Sequence, residues 1–184
     1  MFYTMHRQPL LNLLKNYTPA DANETAMWHH TLSFVQAHPD CFERSLSIGH
    51  ITGSAWIISP DHRQAVLIHH RKLDRWFQPG GHADGDADVA RVALREAEEE
   101  VGLSSLRLVS PAIFDIDVHS IPAKGYEPEH LHYDIRFLIE ADPNEAFTHS
   151  SETNDIKWVS LARIESYTSS ESIIRMVRKI NNYN

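Results

Sequence analysis

The chain has 184 residues, 42% of them apolar, and a formal net charge of −8. That length suits one domain with a sizeable core, spanning 1–184, and argues against two full domains. The negative balance excludes broad electrostatic attraction to DNA or to an anionic membrane surface, and no apolar run is long enough to span a bilayer.

In chain order, Pro9 to Tyr17 reads as a short helix. Thr18 and Pro19 read as the N-cap and first residue of a second helix, which runs to about Ala37 and ends at His38-Pro39-Asp40. Residues 1–40 are thus expected to form a helical extension. It would cap a cleft, pack on a sheet or provide a contact in a homodimer. Its only apolar stretch, Leu10 to Leu14, is interrupted by Asn12 and lacks the form of a signal sequence. With a single cysteine, Cys41, excluding an intramolecular disulfide, a cytoplasmic setting is the expectation.

The texture then changes. HITGSAWIIS (50–59) and QAVLIHH (64–70) are rich in β-branched and apolar residues and flank Pro60-Asp61, so they read as a hairpin. A Gly-rich loop, QPGGHADGD (78–86), follows. The next helix is expected from about Ala87 to Val101, with Asp86 as N-cap and Gly102 as stop signal. Ala90, Ala93, Leu94, Ala97 and Val101 form its apolar stripe. Strand-like segments resume at 106–119, 131–140 and 156–159. Two helical segments close the chain. Thr168 and Glu171 stand in capping-box spacing at the start of the last, and Ile173, Met176, Val177 and Ile180 form its stripe. A mixed sheet flanked by helices, an α+β fold, is the economical arrangement.

The end of the helix before Gly102 reads REAEEEVG. Glu96, Glu99 and Glu100 are spaced i, i+3, i+4 and share one face, while Glu98 points elsewhere. Carboxylates repel one another at that spacing and sit badly at the negative end of a helix, unless something positive lies among them. Arg91 and Arg95 are one answer, giving a solvated charged face. A hard divalent cation held by carboxylate oxygens is another. Gly80 and Gly81 permit close approach of backbone to such a site.

Together, Gly81 to Leu103 closely resembles the Nudix box. That pattern is Gly, five residues, Glu, seven residues, then Arg-Glu-apolar-any-Glu-Glu-any-Gly-apolar. The half from Arg95 to Leu103 fills every fixed position; the first Glu of the box falls at residue 87, which is Ala. The resemblance directly covers 23 residues, 81–103, and the order of strands around it is similar to the Nudix fold, an α/β/α sandwich with a mixed β-sheet. It implies hydrolysis of a diphosphate linkage in a small-molecule nucleoside diphosphate derivative, with Mg2+ (or Mn2+) as cofactor. It implies Glu96, Glu99 and Glu100 as metal ligands, the Gly81 carbonyl as a further ligand, and Arg95 as the group that orients carboxylates. Ala87 supports the rival reading of a Nudix-fold nucleotide-binding or regulatory protein with impaired catalysis. Asp84, Asp86 and Asp88 are candidates to replace the missing acid.

Thirteen histidines invite a second metal reading. His130, His132 and Asp134 alternate in EHLHYDIRF, so a strand would turn all three to one side, a ligand geometry suited to zinc. The simpler reading is a strand with Leu131, Tyr133, Ile135 and Phe137 inward and a polar face outward. An intermediate reading has His132 and Asp134 lining the substrate cleft. Trp76, behind the cations Arg71, Lys72 and Arg75, is a candidate to stack on a base. Glu152 is a candidate late base or ligand. Cys41, in HPDCFERS, reads as a small core residue rather than a catalytic thiol.

Overall fold

The computed structural model describes residues 3–148 and 153–183. Helix α1 (Tyr3–Lys15) begins earlier than the sequence suggests and contains Pro9; α2 spans Ala22–Ala37. Thr18 and Pro19 precede α2 rather than opening it. Asp21 is the N-cap, and its carboxylate accepts the Glu24 N–H at 2.8 Å. A carboxylate there meets both an orphan amide and the positive helix end, which the Thr18 hydroxyl would serve less well.

Strands β1 (Gly49–Ile58) and β2 (Gln64–His70) form the expected antiparallel hairpin. The Gly-rich segment is more ordered than a loop. After β3 (Arg75–Phe77), β4 (Gly80–His82) pairs with β1, placing Gly81 opposite Gly53. Helix α3 (Val89–Val101) starts two positions after the expected Ala87, with Asp88 as its N-cap through the Arg91 N–H at 3.1 Å. Asp86 is instead drawn into a pair with Arg91. Gly102 ends α3 in the left-handed region at φ 68, as a helix-stop glycine should. The buried stripe of α3 is Val89, Val92, Ala93, Ala97 and Val101; Ala90 and Leu94 are only half-buried.

The single strand expected at 106–119 is two, β5 (Arg107–Leu108) and β6 (Asp115–Ile121). Strands β7 (His130–Glu140) and β8 (Thr153–Ser160) complete an eight-stranded sheet. Its path runs β3-β2-β1-β7-β5, with β4 on β1, β6 on β7 and β8 on β2. The β1–β7 pair is parallel and the others are antiparallel, so the sheet is mixed. A 3-10 turn (Leu161–Ser166) and α4 (Glu171–Asn181) follow. Ser170 caps α4, and the expected Thr168–Glu171 box does not form, because Thr168 Oγ1 accepts the Ser170 N–H instead.

Alternation along β1 and β7 gives the sheet two distinct faces. Ile51, Tyr133, Ile135 and Phe137 pack with Leu10 and Leu14 of α1, Phe34 and Val35 of α2, and Val89, Val92 and Ala93 of α3. Ala55 and Ile57 meet Ala97 and Val101 farther along α3. The N-terminal helices therefore pack on the sheet beside α3. On the opposite face, Trp56, Ile58 and Leu138 lie beneath Ile173, Met176 and Ile180 of α4. The sheet is thus sandwiched between helices.

A buried ionic cluster ties the two helical layers together. Glu24 of α2 and Asp115 of β6 are both fully enclosed. Arg175 of α4 donates to Asp115 through Nε at 2.9 Å and Nη2 at 2.7 Å, and Lys179 Nζ lies 2.8 Å from the same carboxylate. Lys179 also donates to Glu24, and Arg136 of β7 reaches Asp115 at 3.3 Å. Burial alone would raise the Asp115 pKa. Its hydrogen bonds from Arg175, with the charges of Arg136 and Lys179, bring it below the usual carboxylate value instead.

Candidate active site and adjoining histidine layer

The acidic end of α3 meets β4. Because α3 crosses β1 and β4 on one face of the sheet, the Gly80–Gly81 backbone passes directly against its carboxylates. The Gly80 N–H donates to Glu100 Oε2 at 2.8 Å. A Cβ at Gly81 would fall inside contact distance of the Glu96 carboxyl group and 3.1 Å from its Cγ. The glycine is thus favoured by contact rather than by an unusual turn: a methyl group there would displace the Glu96 carboxylate from its place beside the strand.

Arg95 donates through Nη2 to Glu96 Oε1 at 2.8 Å and to the His82 carbonyl at 3.1 Å, and its Nε lies 4.0 Å from Glu99. One guanidinium thus braces two carboxylates and the strand behind them. Glu98 is exposed on another side. So Glu96, Glu99, Glu100, Arg95 and Gly81 are brought together as the box resemblance implies.

Ala87 packs half-buried against the core formed by α1, α2 and α3. None of the three nearby aspartates hydrogen-bonds Arg95. Asp84 pairs with Arg44, Asp86 with Arg91, and Asp88 caps α3. Asp86 acts on Arg95 through its charge alone, and Glu96 and the His82 carbonyl hold Arg95 by hydrogen bonds.

The remaining expected site residues make no contact with Glu96, Glu99 or Glu100 among the hydrogen bonds and ion pairs of the described residues. Asp134 is only 2% exposed. Its carboxylate accepts from Thr52 Oγ1 at 2.9 Å, Ser54 Oγ at 2.7 Å, Arg136 Nε at 2.8 Å and Gln78 Nε2 at 3.4 Å. Thr52 and Ser54 thereby tie β1 to β7 through Asp134, while Arg136 of the same strand and Gln78 occupy its second oxygen. Trp76 packs edge-on to Tyr167 at 5.3 Å and beside His69 at 5.0 Å, with Lys157 Nζ 5.1 Å from its ring. Glu152 lies outside the described residues. Cys41 is fully buried and its thiol is pushed up to about 12 by burial, so no reactive thiolate is present.

His132 belongs to a group that the strand alternation revealed only in part. Register sets His50 of β1 beside His132 of β7, and His119 of β6 on its other side. His82 of β4 lies 5.0 Å from both His50 and His132, ring to ring, and His130 lies 5.0 Å from His50. Burial first, and then the neighbouring imidazoles His82 and His130, lower His50 to about 4. Burial, followed by His82 and His50, lowers His132 to about 2. The alternation along β7 groups His130, His132 and Asp134 but gives no sign of His50, His82 and His119. The signal for them was cross-strand register, which one chain read linearly does not contain.

The NUDIX domain model matches residues 50–179. The putative 8-oxo-dGTP diphosphatase 3 of Mycobacterium tuberculosis is 30% identical over 106 residues, covering 54% of this chain and 46% of that protein. The chain therefore spans about half the length of the curated relatives it matches. Among solved structures, an Ap4A hydrolase binary complex from C. elegans superposes with a TM-score of 0.59 at 18% identity, covering 72% of this chain and 96% of that one. A NUDIX-family hydrolase from Clostridium perfringens superposes at 0.55 and 18% identity, covering 73% and 98%. With the family match extending over most of the chain and the box carboxylates gathered against the Gly80–Gly81 strand, this protein belongs to the Nudix family.

Proposed function

We propose that this protein is a metal-dependent pyrophosphohydrolase that cleaves a diphosphate linkage in a nucleoside diphosphate joined to another group. The observation that carries this reading is the packing of Glu96 and Glu100 against the Gly80–Gly81 backbone, with Arg95 braced between Glu96 and Glu99. The donor set fits a hard cation: carboxylate oxygens, beside a strand where a methyl group at Gly81 would displace Glu96. Glu96, Glu99, Glu100 and the Gly81 carbonyl would hold Mg2+ (or Mn2+). A bound cation supplies neutralisation of the diphosphate and a more acidic attacking water. Arg95 orients Glu96 and Glu99, and a carboxylate of the cluster takes up the proton of the water. Trp76 would stack on the base of the substrate.

The second reading, a nucleotide-binding or regulatory protein, rests on Ala87. Its methyl group packs into apolar surroundings, and none of Asp84, Asp86 and Asp88 hydrogen-bonds Arg95 in place of the missing acid. A substrate panel separates the two. Nucleoside triphosphates, ADP-ribose, NADH, dinucleoside polyphosphates, CoA and sugar nucleotides would each be incubated with and without Mg2+ or Mn2+. Cleavage of at least one is expected, lost with chelator and reduced by orders of magnitude in Glu100→Gln. Binding of a panel member without turnover would favour the regulatory reading.

A further inference from the structure

We propose that His50, His130 and His132 form a second metal site, which takes a borderline-soft transition cation such as zinc and is separate from the carboxylates of α3. One ring nitrogen from each of the three lies within 4.8 Å of the others. A tetrahedral zinc with bonds of about 2.0–2.1 Å sets its ligand nitrogens about 3.4 Å apart, so small side-chain rotations close the triangle. His50 and His132 are register partners on β1 and β7, and His130 stands two residues before His132 on the same side of β7.

Three independent features favour a cation over ordinary packing. His132 Nε2 is buried without a partner, and His50 is 3% exposed with the Leu46 backbone the one acceptor its ring meets, which leaves its other nitrogen unmatched. Leaving such a buried polar atom unmatched costs about 1–3 kcal/mol, and the large majority of buried polar groups avoid it. His130 is already oriented: its Nδ1 meets the Pro128 carbonyl at 2.9 Å, which fixes the proton on Nδ1 and leaves Nε2 with a free lone pair. A backbone carbonyl behind a histidine is the usual outer support of a metal ligand. His119, next in the layer, carries the same kind of support from Asp117 at 3.0 Å.

An anion site is the competing chemistry for clustered histidines. It would need several imidazoles protonated at once, within about 5 Å of one another and beside Arg44, an arrangement that like-charge repulsion opposes. Neutral imidazoles with converging lone pairs suit a cation, and nitrogen donors select zinc and its neighbours over magnesium. The hard-oxygen and nitrogen sites would then flank the Gly81–His82 backbone on either side. His82 is the shared element: its carbonyl accepts from Arg95, while its ring faces His50 and His132.

The test uses the full chain without a histidine tag, stripped of metal and titrated with zinc chloride against a chromophoric chelator in excess magnesium. One equivalent of zinc should be retained by the unaltered protein and by Glu100→Gln. Retention should weaken by at least about 100-fold in His132→Ala and in His130→Ala. His130 is partly exposed, so its variant should keep the parent's circular dichroism spectrum and isolates binding from folding. Cobalt(II) should give the intense visible bands of tetrahedral coordination in the parent and not in His130→Ala. The proposal is overturned if no zinc is retained, if magnesium displaces it, or if Glu100→Gln abolishes binding that His130→Ala leaves intact.

Discussion

Adding one methyl group at Gly81 should damage chemistry while sparing the fold. The carboxyl carbon and an oxygen of Glu96 both lie well inside the about 3.5 Å at which non-bonded heavy atoms rest, measured from a Cβ at this position. The carboxylate must therefore retreat by about 1 Å, and a misplacement of that size costs about 100-fold in rate, or about 2.7 kcal/mol. The obstacle is the end of a flexible side chain, so the protein can yield without unfolding. Gly80 makes the contrast. A Cβ there would lie 2.9 Å from the Ser54 Cα and 2.8 Å from its Cβ, so the neighbouring strand itself must move. Gly81→Ala should thus show a melting temperature near that of the parent, weaker magnesium dependence and a kcat down about 100-fold. Gly80→Ala should instead lose thermal stability. Full turnover and unchanged magnesium affinity in Gly81→Ala would refute the claim that Glu96 works against this strand.

Other outcomes follow from the buried groups. Asp115→Asn removes the charge that Arg136, Arg175 and Lys179 share, and should cost about 3–5 kcal/mol in urea unfolding. The folded-state pKa of Asp115 is depressed, so its stabilisation is fully present above the unfolded value of about 3.9 and fades as pH falls below it. The acid limb of a stability–pH curve should accordingly flatten in Asp115→Asn. Cys41 should resist a thiol reagent such as DTNB at pH 8 in the native protein and react on denaturation, because burial keeps its proton on until about 12. Prompt native labelling would contradict that burial.

What could be read from the sequence was mostly local. The shared face of Glu96, Glu99 and Glu100 is set by helical spacing, and Gly102 announces its own helix end, so both survive into the structure. The strand cores at 50–58, 64–70 and 131–140 show as apolar runs. Helix starts were misjudged where several capping residues competed: Asp21 displaced Thr18, and Asp88 displaced Asp86 once Arg91 had claimed it. Relations across the sheet were not legible at all. The alternation of Asp134 with His132 and Arg136 along β7 is local and real, but its partners Thr52 and Ser54 come from a register that no local pattern states. The Glu24–Asp115–Arg175–Lys179 cluster draws on three elements far apart in the chain, and each member alone reads as an ordinary surface charge.

The parallel pairing of β1 with β7 joins residues such as Thr52 and Asp134, 82 positions apart. Everything between them, including α3 and its carboxylates, is threaded through before the centre of the sheet can close. Loop-closure entropy must be met before that pairing returns any stability, which places such a chain among slower folders. During synthesis, β1 waits on the ribosome with one edge unpaired until β7 emerges. The hairpin with β2 and the short β4 guard its other edge, leaving the open one as the place where a stalled or truncated chain would first aggregate.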